Sequence, residues 1–137
     1  MLLKFKEIKK QLQIQWPMLK WCMPTDPEYF LPSKDQVQKF LEDHPQPYDY
    51  RKGLYECEEY SMGLIVDLRR YRAENYRAEK EFSYNWAVGL ALTITKEDLV
   101  HYQNFAITTE KEILIIEPQT NTIKKPVQAK EVHFILI

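Results

Sequence analysis

Glycine is scarce in this chain, with three in 137 residues. Phosphate-cradling loops need glycine where the backbone must approach the ligand, and neither GxGxxG nor GxxxxGK[ST] occurs. The commonest nucleotide-binding loops are therefore excluded. Cysteine is scarce too, with only Cys22 and Cys57. No CxxC pair or Cys/His cluster of zinc spacing exists, so no metal site is expected. Both cysteines read as reduced thiols of an intracellular chain. No run of 18 apolar residues is present, so no transmembrane helix and no membrane partner is expected. Lysines break up the apolar residues of positions 1–10 and no small-residue cleavage site follows, which argues against a secretory signal and for a cytoplasmic location. An excess of one charge is also missing. Nineteen Lys and Arg face twenty Asp and Glu, which argues against nucleic acid as a partner of the chain as a whole.

What is present is the mix of a globular protein, 45% hydrophobic and 28% charged. The length suits one domain, residues 1–137, with one core. Phe5, Ile8 and Leu12 follow helical spacing in residues 2–15, and Pro17 ends that helix. Residues 16–33 carry four prolines and read as irregular chain pinned by Trp16, Trp21, Tyr29 and Phe30. Ser33 and Gln36 form a capping-box pattern ahead of a helix with Val37, Phe40 and Leu41 on one face. Pro45 and Pro47 stop it, and a loop of tyrosine and proline over 44–54 leads to Cys57. From Cys57 to about Glu74 a third helix is expected, with Cys57 at the N-terminal end of its apolar stripe.

The remainder reads as sheet. Strands are expected over 83–94, 101–109, 112–117 and 132–137, with a glycine-free hairpin connection at Thr109-Glu110-Lys111. Helices first and strands later make an α+β chain, with a nucleophile-bearing helix packed on an antiparallel sheet of about four strands. Residues 55–137 carry this core, while 1–54 are less well explained.

Three residues carry a chemical signal. A helix N-terminus favours a thiolate, which places Cys57 where a nucleophile would be activated. Glu58 and Glu59 oppose that activation. His101 opens one strand and Glu117 closes the next. In the hairpin they imply, residues whose numbers sum to about 218–220 face each other, so His101 lies opposite roughly 117–119. Glu117 can then hold the imidazole, with Gln119 as the alternative. Thiol, imidazole and carboxylate are the parts of a cysteine nucleophile system. An oxyanion donor besides the Cys57 backbone N–H is needed. Gln46, Tyr48 and Tyr50 are the candidates, and the sequence does not choose among them. Cys22, between Trp21 and Met23, reads as structural.

The run Tyr55-Glu56-Cys57-Glu58-Glu59-Tyr60-Ser61, the His101-Tyr102-Gln103-Asn104 strand and Glu117-Pro118-Gln119-Thr120 together resemble a papain-like group of bacterial, phage and fungal proteins. That group includes the C-terminal protease domain of a mushroom agglutinin. The resemblance covers about residues 55–120. It implies a papain-like fold, Cys57 as nucleophile, His101 as base and Glu117 as third member, with Asn104 and Gln119 in support. It implies a thiol protease or transglutaminase-like enzyme: a cysteine hydrolase or acyltransferase acting on peptide or side-chain amide bonds, with a protein or peptide substrate. No cofactor is expected from the residues. Calcium activation enters by resemblance only, since no EF-hand pattern or carboxylate cage is visible.

Two other readings compete. One is a catalytically inert papain-like scaffold serving as a protein-interaction module. The other is nucleic-acid binding through Arg69, Arg70, Arg72, Tyr76, Arg77 and Lys80, which Glu74 and Glu79 dilute.

Overall fold

The computed structural model describes residues 1–54, 56–75, 83–94, 97–126 and 131–137. Its elements run β1 (Leu2–Lys4), α1 (Phe5–Gln15), β2 (Trp21–Met23), β3 (Glu28–Phe30), α2 (Lys34–Asp43), α3 (Cys57–Glu74), β4 (Val88–Ile94), β5 (Val100–Ile107), β6 (Ile113–Glu117), β7 (Thr122–Lys124) and β8 (Glu131–Leu136).

Local signals account for α2 and α3. The Ser33 hydroxyl accepts the Gln36 N–H at 3.1 Å, and the Gln36 side chain accepts the Ser33 N–H at 2.8 Å. This reciprocal box satisfies two donors that a helix start would otherwise orphan. Val37, Phe40 and Leu41 are the buried face. In α3 the buried residues are Tyr60, Ser61, Leu64, Leu68 and Arg72, one stripe at helical spacing.

The sheet corrects the expected architecture. It has six strands in the order β2-β8-β4-β5-β6-β7, and β1 and β3 form a separate antiparallel pair. It is mixed, because β2 runs parallel to β8 while the other neighbours are antiparallel. The papain-like arrangement of helices on an antiparallel sheet of about four strands is therefore not what the chain adopts. Two of the extra strands arise in residues 16–33, expected to be irregular. Three-residue strands carry almost no local pattern, and distant partners define them: Cys22 opposite Ile135, and Tyr29 opposite Leu3.

Both sheet faces are covered. On one, Ile8, Leu12 and Trp16 of the α1 region share a core with Ala91, Phe105, Ile107, Ile115 and Ile135. On the other, Val37, Phe40 and Leu41 of α2 and Leu64 and Leu68 of α3 pack with Val88, Ala106 and Ile116. Strands buried on both faces read as continuous apolar runs rather than alternations, which explains Ile113-Leu114-Ile115-Ile116. The β5–β6 register is the expected one, with Asn104 opposite Ile116 and Ile107 opposite Ile113. The connection turns without glycine because Lys111 takes a left-handed conformation (φ 61°).

Two polar residues lock the layers. Asn104 is fully buried in β5, and its amide donates to the Ser61 carbonyl of α3 at 3.0 Å and to the Gly89 carbonyl of β4 at 3.2 Å. Arg72 is buried as well. Its guanidinium donates to the Tyr84 carbonyl and lies 5.3 Å from the Trp86 ring centroid. Arg69 is tied to Thr25 and Asp26. The basic stretch is thus partly structural. Tyr76, Arg77 and Lys80 lie outside the described residues.

Gly89 sits where β4 passes under Phe105. A Cβ there would come within 2.4 Å of the Leu136 carbonyl oxygen and 2.7 Å of the Phe105 ring. Gly89→Ala is expected to destabilise the protein by roughly 1–3 kcal/mol through overpacking. Urea unfolding should show a lower midpoint with an unchanged slope. An unaltered midpoint would show that β4 and β8 are not held this closely.

Candidate functional site

The first turn of α3 meets the β5 start and the β6 end at a cleft of about 430 Å³. Tyr50, Glu56, Cys57, Glu58, Val100, His101, Tyr102 and Gln119 line it. The helix start is built by its own carboxylates, with the Glu59 side chain accepting the Glu56 N–H at 2.9 Å. Loop 44–54 is fastened above it by two tyrosines. Tyr60 donates to the Tyr48 carbonyl at 2.7 Å, and Tyr50 donates to Glu56 at 3.1 Å.

His101 Nε2 lies 3.3 Å from Glu117 Oε2, and both side chains are partly exposed. An ionised carboxylate only accepts, so Nε2 carries the proton in this pair. Nδ1 is then left as an acceptor in the neutral ring. This is the contact expected from the hairpin register.

Cys57 behaves differently from the sequence expectation. Its thiol donates to Glu58 Oε2 at 3.4 Å rather than to the imidazole. Burial, the largest influence, pushes its pKa up, and the Glu58 carboxylate adds to this. The Tyr102 N–H and its own N–H pull the other way, since both favour the thiolate. Cys22, partly buried against the core, is pushed up to about 11. Both cysteines are free thiols.

The other sequence-derived candidates divide. Gln119 lines the cleft, and so does Tyr50. Tyr48 contributes its carbonyl to Tyr60 while its ring stays exposed. Gln46 and Asn104 are not among the lining residues, and Asn104 joins α3 to the sheet instead. Val100 and Tyr102 are lining residues that the sequence reading does not single out, and their place beside His101 in its strand is the signal that could have found them. Among the described residues no group of three or more His, Cys, Asp or Glu side chains is arranged to hold a metal ion. Among them, too, no helix is long and apolar enough to cross a membrane.

Chemically the cleft offers a neutral thiol, an imidazole fixed by a carboxylate, two further carboxylates and flat aromatic surface. Comparison with known proteins bears first on the fold. No protein-family profile matches the chain, and no curated protein does. Solved structures do match, among them one named as a lectin. The "PSL1a-E64 complex" superposes with a TM-score of 0.80 at 16% identity, covering 99% of this chain and 50% of that one. Polyporus squamosus lectin "bound to human-type influenza-binding epitope Neu5Aca2-6Galb1-4GlcNAc" superposes with a TM-score of 0.76 at 17% identity, covering 99% of this chain and 49% of that one. This chain therefore shares their fold over about half of their length.

These findings correct the papain-like expectation. Of these two structures one is named as a lectin, and neither is called a protease or a transglutaminase. The reading as a cysteine hydrolase or acyltransferase on peptide or side-chain amide bonds is withdrawn, and with it the inert papain-like scaffold and the thiol-protease and catalytic-triad description.

The electrostatics of Cys57 give a direct expectation. A carboxylate beside a thiol disfavours the thiolate, so removing it must lower the thiol pKa. Iodoacetamide alkylation of Cys57 should have its midpoint above the ordinary value of about 8.5, and Glu58→Gln should shift it downward. Cys22 should stay unreactive until pH approaches about 11. A Cys57 midpoint indifferent to Glu58 would contradict the contact.

Proposed function

We propose that this chain is a ligand-binding domain whose functional surface is the cleft lined by Cys57 and His101, and that the ligand is a glycan. The observation that carries the reading is this cleft in a fold shared with a lectin: about 430 Å³, with polar groups converging beside aromatic rings. That volume falls within the range of small-molecule sites, and such sites pair a few placed polar groups with apolar walls. Tyr50 and Tyr102 supply flat surface for a sugar face. Glu56, Glu58 and Gln119 supply partners for hydroxyls. Partner recognition, rather than turnover of a peptide, is the role this reading assigns. Glycan binding belongs to a lectin about twice as long as this chain, and it is carried over as a proposal.

A second reading concerns the thiol. Two backbone N–H groups favour the Cys57 thiolate, and His101 stands in the same cleft. In this reading Cys57 is a thiol that an electrophile entering the cleft can reach, held protonated by burial and Glu58. PSL1a is named in complex with E64, which makes E64 the small molecule to try first.

Calorimetric titration with the neutral disaccharide Galβ1-4GlcNAc should give saturable binding that Tyr50→Ala weakens about tenfold. Absence of binding to this sugar and to a panel of other neutral and charged oligosaccharides would sink the glycan reading. Intact-mass analysis after E64 treatment should show one adduct that Cys57→Ala removes, if an electrophile can reach the thiol. An unmodified protein, or an adduct on Cys22, would remove the second reading.

A further inference from the structure

The cleft walls are chemically one-sided. Glu56 and Glu58 bracket Cys57 at the start of α3, and Glu117 stands behind His101. No lysine or arginine is among the lining residues described. The imidazole is the sole group of the lining that can become positive, and the Glu117 carboxylate pairs with it. Glu58 is occupied on one oxygen by the thiol and Glu56 on one oxygen by the Tyr50 hydroxyl. Each carboxylate therefore keeps acceptor capacity toward a ligand, because an ionised carboxyl has two oxygens and about four lone-pair sites. Beside them Tyr50, half exposed, and Val100, more than half exposed, present apolar surface. The negative field is felt by the site's own groups. Tyr50 holds its proton more firmly because of its bond to Glu56, with burial and the charges of Glu56 and Glu58 adding to it.

A pocket lined by carboxylates with apolar and aromatic surface beside them matches a ligand that carries an ammonium group next to an apolar face. We propose that the Cys57 cleft selects cationic ligands over anionic ones, and that within the glycan reading its ligand is an amine-bearing sugar rather than an acidic one. Glu56 and Glu58 are the specificity-determining residues. The sugar part of this proposal rests on the glycan reading of the same site, while the charge preference stands on the cleft alone. A sugar carboxylate in this cleft would meet Glu56 and Glu58 with no lysine or arginine among the described lining residues to offset it.

The test uses the thiol as a reporter of the field. In a Cys22→Ser background, Cys57 is treated with two methanethiosulfonates of similar size, one bearing trimethylammonium and the other sulfonate. Each transfers its thioalkyl group to the thiolate, forming a disulfide and releasing methanesulfinate, so the ratio of the two rates cancels the thiolate fraction. Relative to a small neutral thiol, the ratio at Cys57 should favour the cation by about tenfold. Glu56→Gln with Glu58→Gln should bring it to within about twofold of that reference. A ratio equal to the small thiol's, or one that the double variant leaves unchanged, overturns the charge preference. In parallel, the protein is titrated with a glucosamine oligosaccharide bearing free amines and with its N-acetylated counterpart. Tighter binding of the free-amine form supports the whole proposal. Equal or tighter binding of the acetylated form overturns the amine-sugar assignment and leaves the glycan reading intact. Binding of neither sugar, with the reagent ratio still high, overturns the glycan reading and supports the charge preference by itself.

Discussion

The pairing of β5 with β6 is the constraint on which the site depends. A single register places Asn104 opposite Ile116, and it carries His101 at one end of β5 to Glu117 at the end of β6. A slip of one residue would turn every side chain of β6 to the opposite face. Because Ile113 and Ile115 belong to the core with α1 while Ile116 belongs to the core with α2 and α3, both faces enforce the register. The imidazole–carboxylate pair is thus fixed by burial elsewhere in the sheet. Asn104 extends the same control to α3, since its amide ties the helix at Ser61 to the strand that bears His101.

Electrostatics then decide what the gathered groups do. A helix start would activate the Cys57 thiol through its free N–H groups, and two such donors are in place. Burial and Glu58 outweigh them, and the thiol stays protonated. Those same carboxylates give the cleft its sign. One feature of the sequence, glutamates crowded around a cysteine at a helix start, therefore both quiets the thiol and shapes which ligands can enter.

How far the sequence revealed this depends on how local each signal is. The Ser33–Gln36 box and the α3 stripe act within a few residues, and both elements lie where the pattern puts them. The β5–β6 hairpin follows from two short apolar runs and the distance between them, so His101 and Glu117 can be brought together from the sequence. The strands β2 and β3 cannot, because each is three residues long and exists only through a partner far away in sequence. The second covered face is written in Ile113-Leu114-Ile115-Ile116, but a run without alternation is ambiguous until the helices on both sides are placed. For the site, residue types and chain order suggested a protease, but a solved structure sharing the fold carries a lectin's name. Short motifs define a constellation of groups; they do not define the reaction or the ligand.

The most direct test of this account is the tautomer of His101, read from nitrogen-15 couplings of the imidazole ring in the intact protein. In the neutral ring the proton should sit on Nε2, held there by Glu117, with Nδ1 bare. Glu117→Gln should then loosen that preference. A ring protonated on Nδ1, or one insensitive to Glu117, would mean that the β5–β6 register does not organise the cleft, and the site built on it would have to be abandoned.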